Sequence, residues 1–267
     1  EMCIRDRTWV LSKLEELPEK PHPIPRIAPH LLTRVIKDGL KGQVVQTSID
    51  ISIQERVNNI VQFHHGSLSE NEIHNAAVLV MDVETGKVLA YTGNVPNVAA
   101  EHGSDVDIIM APRSTGSIIK PFLYASMLEN GSITPEMVVQ DIPTVMSGYS
   151  PKNYNLKYDG IVKIDNALAR SLNVPMVRLL TKFGVEKFHY SLQKLGFTTI
   201  KNTPQHYGLS LILGGAETNL WDLVSAYGLM ARSLNRYPEM GLGAVSYTHL
   251  RAHETSLHLV CRLLLEK

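Results

Sequence analysis

Arg113-Ser-Thr-Gly-Ser-Ile-Ile-Lys-Pro-Phe122 is the stretch from which the rest of the chain can be read. It sets Ser117 and Lys120 three residues apart where a helix should begin, a spacing that stacks a hydroxyl and an amine on one helical face. A serine is a weak nucleophile until a neighbour takes its proton, and a lysine whose ammonium is disfavoured by its surroundings can be that base. Pro112 and Gly116 precede the pair, Pro121 follows it, and an apolar run from Phe122 continues to a stop at Asn130-Gly131. Because proline has no backbone N–H, the pattern predicts a helix over 118–129 that begins at or near Ser117. That residue's amide is then left unpaired at the positive end of the helix dipole.

A bare Ser-x-x-Lys is a weak signal, and it recurs at Ser191 and Lys194. There the apolar residues Val185, Phe188, Leu192 and Leu195 recur at helical spacing, so the second pair reads as the solvated face of an ordinary helix. Ser171-Leu172-Asn173, followed by Val174-Pro175, supports the first pair. It closes the helical segment Asp165–Arg170, where a hydroxyl and an amide can either face a cleft or cap helices.

Four ordered blocks carry a family likeness: the Arg113 stretch continued through Leu-Tyr-Ala125, Pro151-Lys-Asn-Tyr-Asn155, Ala167-Leu-Ala-Arg-Ser-Leu-Asn-Val-Pro175, and Leu211-Ile-Leu-Gly-Gly-Ala216. Together, over roughly residues 44–238, the chain closely resembles class A penicillin-binding proteins. The resemblance implies an α/β (α+β) fold of the penicillin-binding transpeptidase and serine β-lactamase type, an antiparallel sheet with helices on both faces. It implies a serine D,D-transpeptidase that is acylated by D-Ala-D-Ala stem peptides and by β-lactams, within a bifunctional glycosyltransferase/transpeptidase at the periplasmic face of the bacterial inner membrane. By the same likeness Ser117 is the acylated nucleophile, Lys120 its base, and Ser171 with Asn173 the second motif. Tyr154 and Asn155 stand as substrate-binding candidates, with packing as their other reading. The family's third motif, Lys or His then Thr-Gly on an edge strand, does not follow Asn173. Either that strand lies outside this chain or the pattern is broken, and a chain ending near Ala244 should be impaired, because it lacks an oxyanion-hole donor.

The ends, 1–7 and 245–267, resemble translated sequencing-adapter read-through and are set apart from the fold, with an apolar C-terminal helix as the other reading. Both cysteines, Cys3 and Cys261, fall there, so no disulfide is expected in the remainder. Residues 8–43, with Pro18, Pro21, Pro23, Pro25 and Pro29, read as an extended connector, and 44–244 as an incomplete transpeptidase domain. The membrane anchor and glycosyltransferase domain that family members carry are absent, so the chain reads as part of a longer protein.

The 26 Lys+Arg balance 26 Asp+Glu, so no basic footprint calls for nucleic acid. No run of eighteen apolar residues spans a bilayer. The 11 histidines, including the His64-His65 pair, show no metal-ligand spacing, so neither metal nor cofactor is expected. Gly214-Gly215 lacks a phosphate-loop context and is assigned to tight helix packing.

The residue pattern predicts a strand over 46–51 and a helix over 52–63. Apolar runs at 76–83 and 87–92 flank the turn Glu84-Thr-Gly86, and further helices follow over 163–172, 175–183, 186–195 and 218–233. Continuous rather than alternating apolar runs predict strands covered on both faces. Three activities share the Ser117 chemistry or its pocket: a transpeptidase, a carboxypeptidase or β-lactamase that deacylates with water, and a sensor or scaffold that binds β-lactam without turnover.

Overall fold

The computed structural model describes residues 26–96, 102–146 and 148–236. The adapter-like ends, both cysteines and the connector before residue 26 lie outside the described residues. In chain order the elements are α1 (Pro29–Lys37), α2 (Ile51–Ser69), β1 (Val78–Met81), β2 (Val88–Thr92), β3 (Arg113–Ser114), α3 (Lys120–Glu129), β4 (Val138–Asp141) and β5 (Gly160–Lys163). There follow α4 (Ile164–Ala169), α5 (Asn173–Phe183), α6 (Val185–Lys194), α7 (Pro204–Tyr207), a 3-10 turn over Gly208–Leu213, β6 (Glu217–Thr218) and α8 (Leu220–Arg236).

The strands form three antiparallel pairs, β1–β2, β3–β6 and β4–β5, where the sequence predicts one sheet. The β1–β2 hairpin is the one anticipated. Asp82 Oδ1 accepts from the Thr85 amide at 2.8 Å and Gly86 takes φ +69, the positive value that closes the turn. Helices α1 and α2 pack on β2 and α8 packs on β1. The strand expected over 46–51 does not form. Its edge contacts to β2 come instead from the Ser48 hydroxyl on Val88 O, the Asp50 amide on Leu89 O, and Gln54, whose Oε1 accepts from Tyr91 N at 2.7 Å. With the edge satisfied by two side chains and a single backbone amide, the backbone is free to turn into α2 at Asp50, whose carboxylate caps the helix by accepting from Ile53 N. The connector reading is corrected in part, since Pro29–Lys37 is helical, with proline in its first turn and His30 buried against Gly93.

The main core gathers around α3. Apolar residues all round that helix leave no face for water, so Phe122, Leu123, Tyr124, Ala125, Met127 and Leu128 are all buried. Helices α4, α5 and α6 pack on it. Met176, Leu180, Phe188 and Leu192 complete the interior, and Phe122 stacks edge-on to Phe197 at 5.5 Å. The β4–β5 ribbon and the short β3–β6 pairing were not anticipated. The second joins Arg113 to Thr218 and Ser114 to Glu217, and so ties the loop that carries Ser117 to the far end of the domain.

Candidate active site

Ser117 does not open the helix. Residues 115–122 fold as successive tight turns, with Ile118 N donating to Thr115 O, Lys120 N to Ser117 O and Phe122 N to Ile119 O, each at 3.1 Å. Regular helix begins only at Lys120. The nucleophile candidate therefore sits one turn ahead of α3, exposed, with its hydroxyl and amide free of hydrogen bonds among the described residues. Its loop is pinned from the other side of the domain. Ser114 Oγ donates to Gly214 O at 2.8 Å, Thr115 N to Ala216 O at 3.0 Å, and the Tyr227 hydroxyl to Ile118 O at 2.6 Å. The Gly214-Gly215 pair is thus packed against the loop that carries Ser117 and the turn at Ser210, not between helices.

Lys120 is 1% exposed. Its Nζ donates to Ser171 O at 2.8 Å, Asn173 Oδ1 at 2.8 Å and Ser171 Oγ at 3.2 Å, with Leu172 O at 3.4 Å. These acceptors are neutral, so no counter-charge offsets the desolvation of the ammonium, and burial pushes the amine down to about 8. Sequence reasoning placed Ser171 at a helix end, and the geometry is specific. Leu172 N reaches back to Ala167 O and Ser171 N to Leu168 O, closing α4 with Ser171 at φ +53, a position usually given to glycine. A non-glycine residue held there is strained by about 1–2 kcal/mol, and its hydroxyl and carbonyl both face Lys120. Asn173 is the first residue of α5, and its Oδ1 serves the lysine rather than capping the helix.

The α5 cap comes from a residue that sequence reasoning passed over. Asn153 Oδ1 accepts from Asn173 N at 2.9 Å and Val174 N at 3.2 Å, while its Nδ2 donates to Asp141 Oδ1 at 2.8 Å and Lys157 O at 2.9 Å. It stood in the Pro151–Asn155 block, one position before the residues chosen there. Of those, Tyr154 is fully exposed and not packed, and Asn155 closes a local turn by accepting from Lys157 N at 3.0 Å. Neither shares a hydrogen bond with Lys120, Ser171 or Asn173. Ser191 and Lys194 lie on the outer face of α6, the serine bonded to Lys187 O and the lysine over the Tyr190 ring, as their spacing indicated. Among the described residues no group of three His, Cys, Asp or Glu side chains stands close enough to hold a metal ion, and no helix is long and apolar enough to cross a membrane.

Residues 76–239 match the penicillin binding protein transpeptidase domain family. Penicillin-binding protein 1C of Escherichia coli (strain K12) is 31% identical over 229 residues, covering 84% of this chain and 29% of that protein. Penicillin-binding protein 1A of Rickettsia bellii is 32% identical over 168 residues, 61% of this chain and 20% of that protein. The chain thus spans less than a third of either relative. Among solved structures, penicillin-binding protein 1A of Haemophilus influenzae is similar at 27% identity and TM-score 0.51, over 59% of this chain and 23% of that one. The penicillin-binding protein PonA1 of Mycobacterium tuberculosis, solved with penicillin V, shares the fold at TM-score 0.58 and 24% identity, over 78% of this chain and 58% of that one.

Proposed function

This chain belongs to the penicillin binding protein transpeptidase domain family, and from that premise we propose that it cross-links peptidoglycan through a serine acyl-enzyme on Ser117. Ser117 Oγ attacks the carbonyl of the penultimate D-Ala of a stem peptide, and its proton passes to the neutral Nζ of Lys120. The tetrahedral adduct collapses, the C–N bond to the terminal D-Ala breaks, and the leaving amine takes a proton through the Ser171 hydroxyl. An amine of a second stem then attacks the ester, forms the new amide and returns the proton and the free hydroxyl to Ser117. A β-lactam enters the same way, but its amine stays tethered after ring opening, so the adduct persists.

The observation that carries this reading is the buried Lys120 amine with its lowered pKa. Near pH 8 half of it is uncharged, which suits proton uptake better than an ordinary lysine by more than a hundredfold in neutral fraction at pH 7. On losing a proton the amine keeps two N–H groups for Ser171 O and Asn173 Oδ1, its two short contacts. Its lone pair then faces the Ser171 hydroxyl side. The Ser117 hydroxyl and Lys120 Nζ share no hydrogen bond among the described residues, so in this reading the contact forms when substrate is seated. In this reading the domain works with a glycosyltransferase partner domain at the periplasmic face of the bacterial inner membrane, on stem peptides.

Fluorescent-penicillin labelling of the full gene product, with Ser117→Ala beside it, is the test. Wild type retains the label and Ser117→Ala takes none. A stable adduct on Ser117→Ala refutes the reading. A label lost within minutes to water assigns a hydrolase, and no label on a folded protein assigns a binding role without turnover.

A further inference from the structure

We propose that Asn153, anchored by the buried carboxylate of Asp141, is a positioning residue for the catalytic lysine: it holds the start of α5 so that Asn173 and Ser171 enclose the Lys120 amine and keep water from it. The inference rests on the reading of Lys120 as the base. Its geometry is independent of that reading.

Helix α5 has no cap of its own, because the preceding residue is Leu172, whose side chain has no acceptor. Asn153 supplies the missing acceptor from a loop twenty residues earlier, and both lone pairs of its Oδ1 are engaged by the first two helix amides. Both N–H groups of its Nδ2 are engaged as well, by Asp141 Oδ1 and Lys157 O. Asp141 is fully buried, and its second oxygen accepts from Asp159 N at 3.0 Å. The Asn153 amide therefore has one orientation open to it, since a flip would set donor against donor at the helix and acceptor against carboxylate at Asp141. Asn173 itself is tied from both ends, by its N–H on Asn153 and by its Nδ2 on Lys152 O at 2.9 Å. Its Oδ1 is left to meet Lys120 Nζ.

The depressed pKa of Lys120 comes from burial alone, so it depends on how tightly this segment closes over the amine. The charged groups on the packed elements are engaged elsewhere or point outward. They are Asp141 of β4, held by Asn153 and the Asp159 amide; Asp165 and Arg170 of the α4 region; Arg178 and Lys182 of α5; and Glu186, Lys187, His189 and Lys194 of α6, with Glu129 on α3 itself. Arg170 pairs with Asp159, Arg178 donates to Thr144, Lys182 to Ser132 O, and His189 bonds Asn202 O. None contributes to the Lys120 shift. Loosening α5 at its first residue would thus act on Lys120 through water entry, not through a lost charge.

The experiment is the rate of penicillin acylation of the full gene product from pH 6 to 9.5, for wild type, Asn153→Ala and Asp141→Asn, with thermal unfolding of each. Wild type rises to a plateau with its midpoint near 8. Asn153→Ala moves the midpoint up by about one unit, which slows acylation at pH 7 by about tenfold. Asp141→Asn is isosteric and turns one hydrogen bond into a donor–donor contact, so it moves the midpoint the same way by about half a unit. A lower plateau with the midpoint unmoved would mean that Asn153 serves stability alone, and overturns the inference. Should Asn153→Ala not fold, the midpoint of Asp141→Asn decides. A wild type that takes no label, or takes it without Ser117, strikes the acyl-enzyme reading instead.

Discussion

Replacing Gly214 by alanine probes how Ser117, the proposed nucleophile, is held in place. An ideal Cβ there falls 2.6 Å from Ser114 Oγ and 2.8 Å from both Cα and N of Gly116, the residue before Ser117. Two of those three atoms are backbone, so no rotamer change relieves the clash. Ordinary carbon contacts begin near 3.5 Å, and the loop must retreat by roughly 0.7 Å. Gly214 also has φ +104, which costs an L side chain about 1–2 kcal/mol. Overpacking adds about 1–3 kcal/mol, so the total is roughly 2–5 kcal/mol of stability. A retreat of that size at a reacting atom slows chemistry by about 10–100-fold. The assay pairs thermal unfolding with the rate of penicillin acylation. Gly208→Ala is the control, because Gly208 has φ +53 and open space where its Cβ would lie, so only the conformational cost applies and acylation holds. If Gly214→Ala were acylated within about twofold of wild type, the contact between residues 214 and 116 would not be what places Ser117.

Two further substitutions test the core and the lysine. Lys120→Met abolishes acylation and removes a pH dependence of stability. The folded pKa, about 8, lies below the unfolded value of 10.5, so the unfolded chain binds more protons between them, and wild-type stability rises across that window by up to about 3 kcal/mol. The raised pKa values of Tyr124 and Tyr227 act oppositely above pH 10, and subtracting the Lys120→Met curve removes them, so parallel wild-type and variant denaturation curves from pH 7.5 to 10 would refute the burial argument. Phe122→Ala empties a fully buried position flanked by Phe197 and Tyr227 and is expected to lower stability by about 3–5 kcal/mol, read from denaturant midpoints at pH 7.

Ser117, Lys120, Ser171 and Asn173 could be chosen from the sequence as candidates because the spacing within each pair is local, and each pair lies beside a helix boundary marked by proline, glycine or a polar run. The β1–β2 hairpin and the helices α3 to α6 and α8 were legible for the same reason, as apolar periodicity and turn residues act over a few positions. Their ends were less so. Helix α3 starts at Lys120 because 115–119 are drawn into tight turns by partners about a hundred residues away, and no strand forms over 46–51 because Gln54 and Ser48 satisfy the edge of β2.

The linear chain carries the candidate groups: a hydroxyl and an amine in one motif, a second hydroxyl and an amide in another, and their order along the chain. Folding is what brings Lys120 to Ser171 and Asn173 across some fifty residues. It alone made Asn153 the cap of α5, and Gly214–Ala216 the support behind Ser117. Hydrogen bonds between distant segments leave no periodicity in the chain, and a lysine becomes a base only when other elements close over it and exclude water.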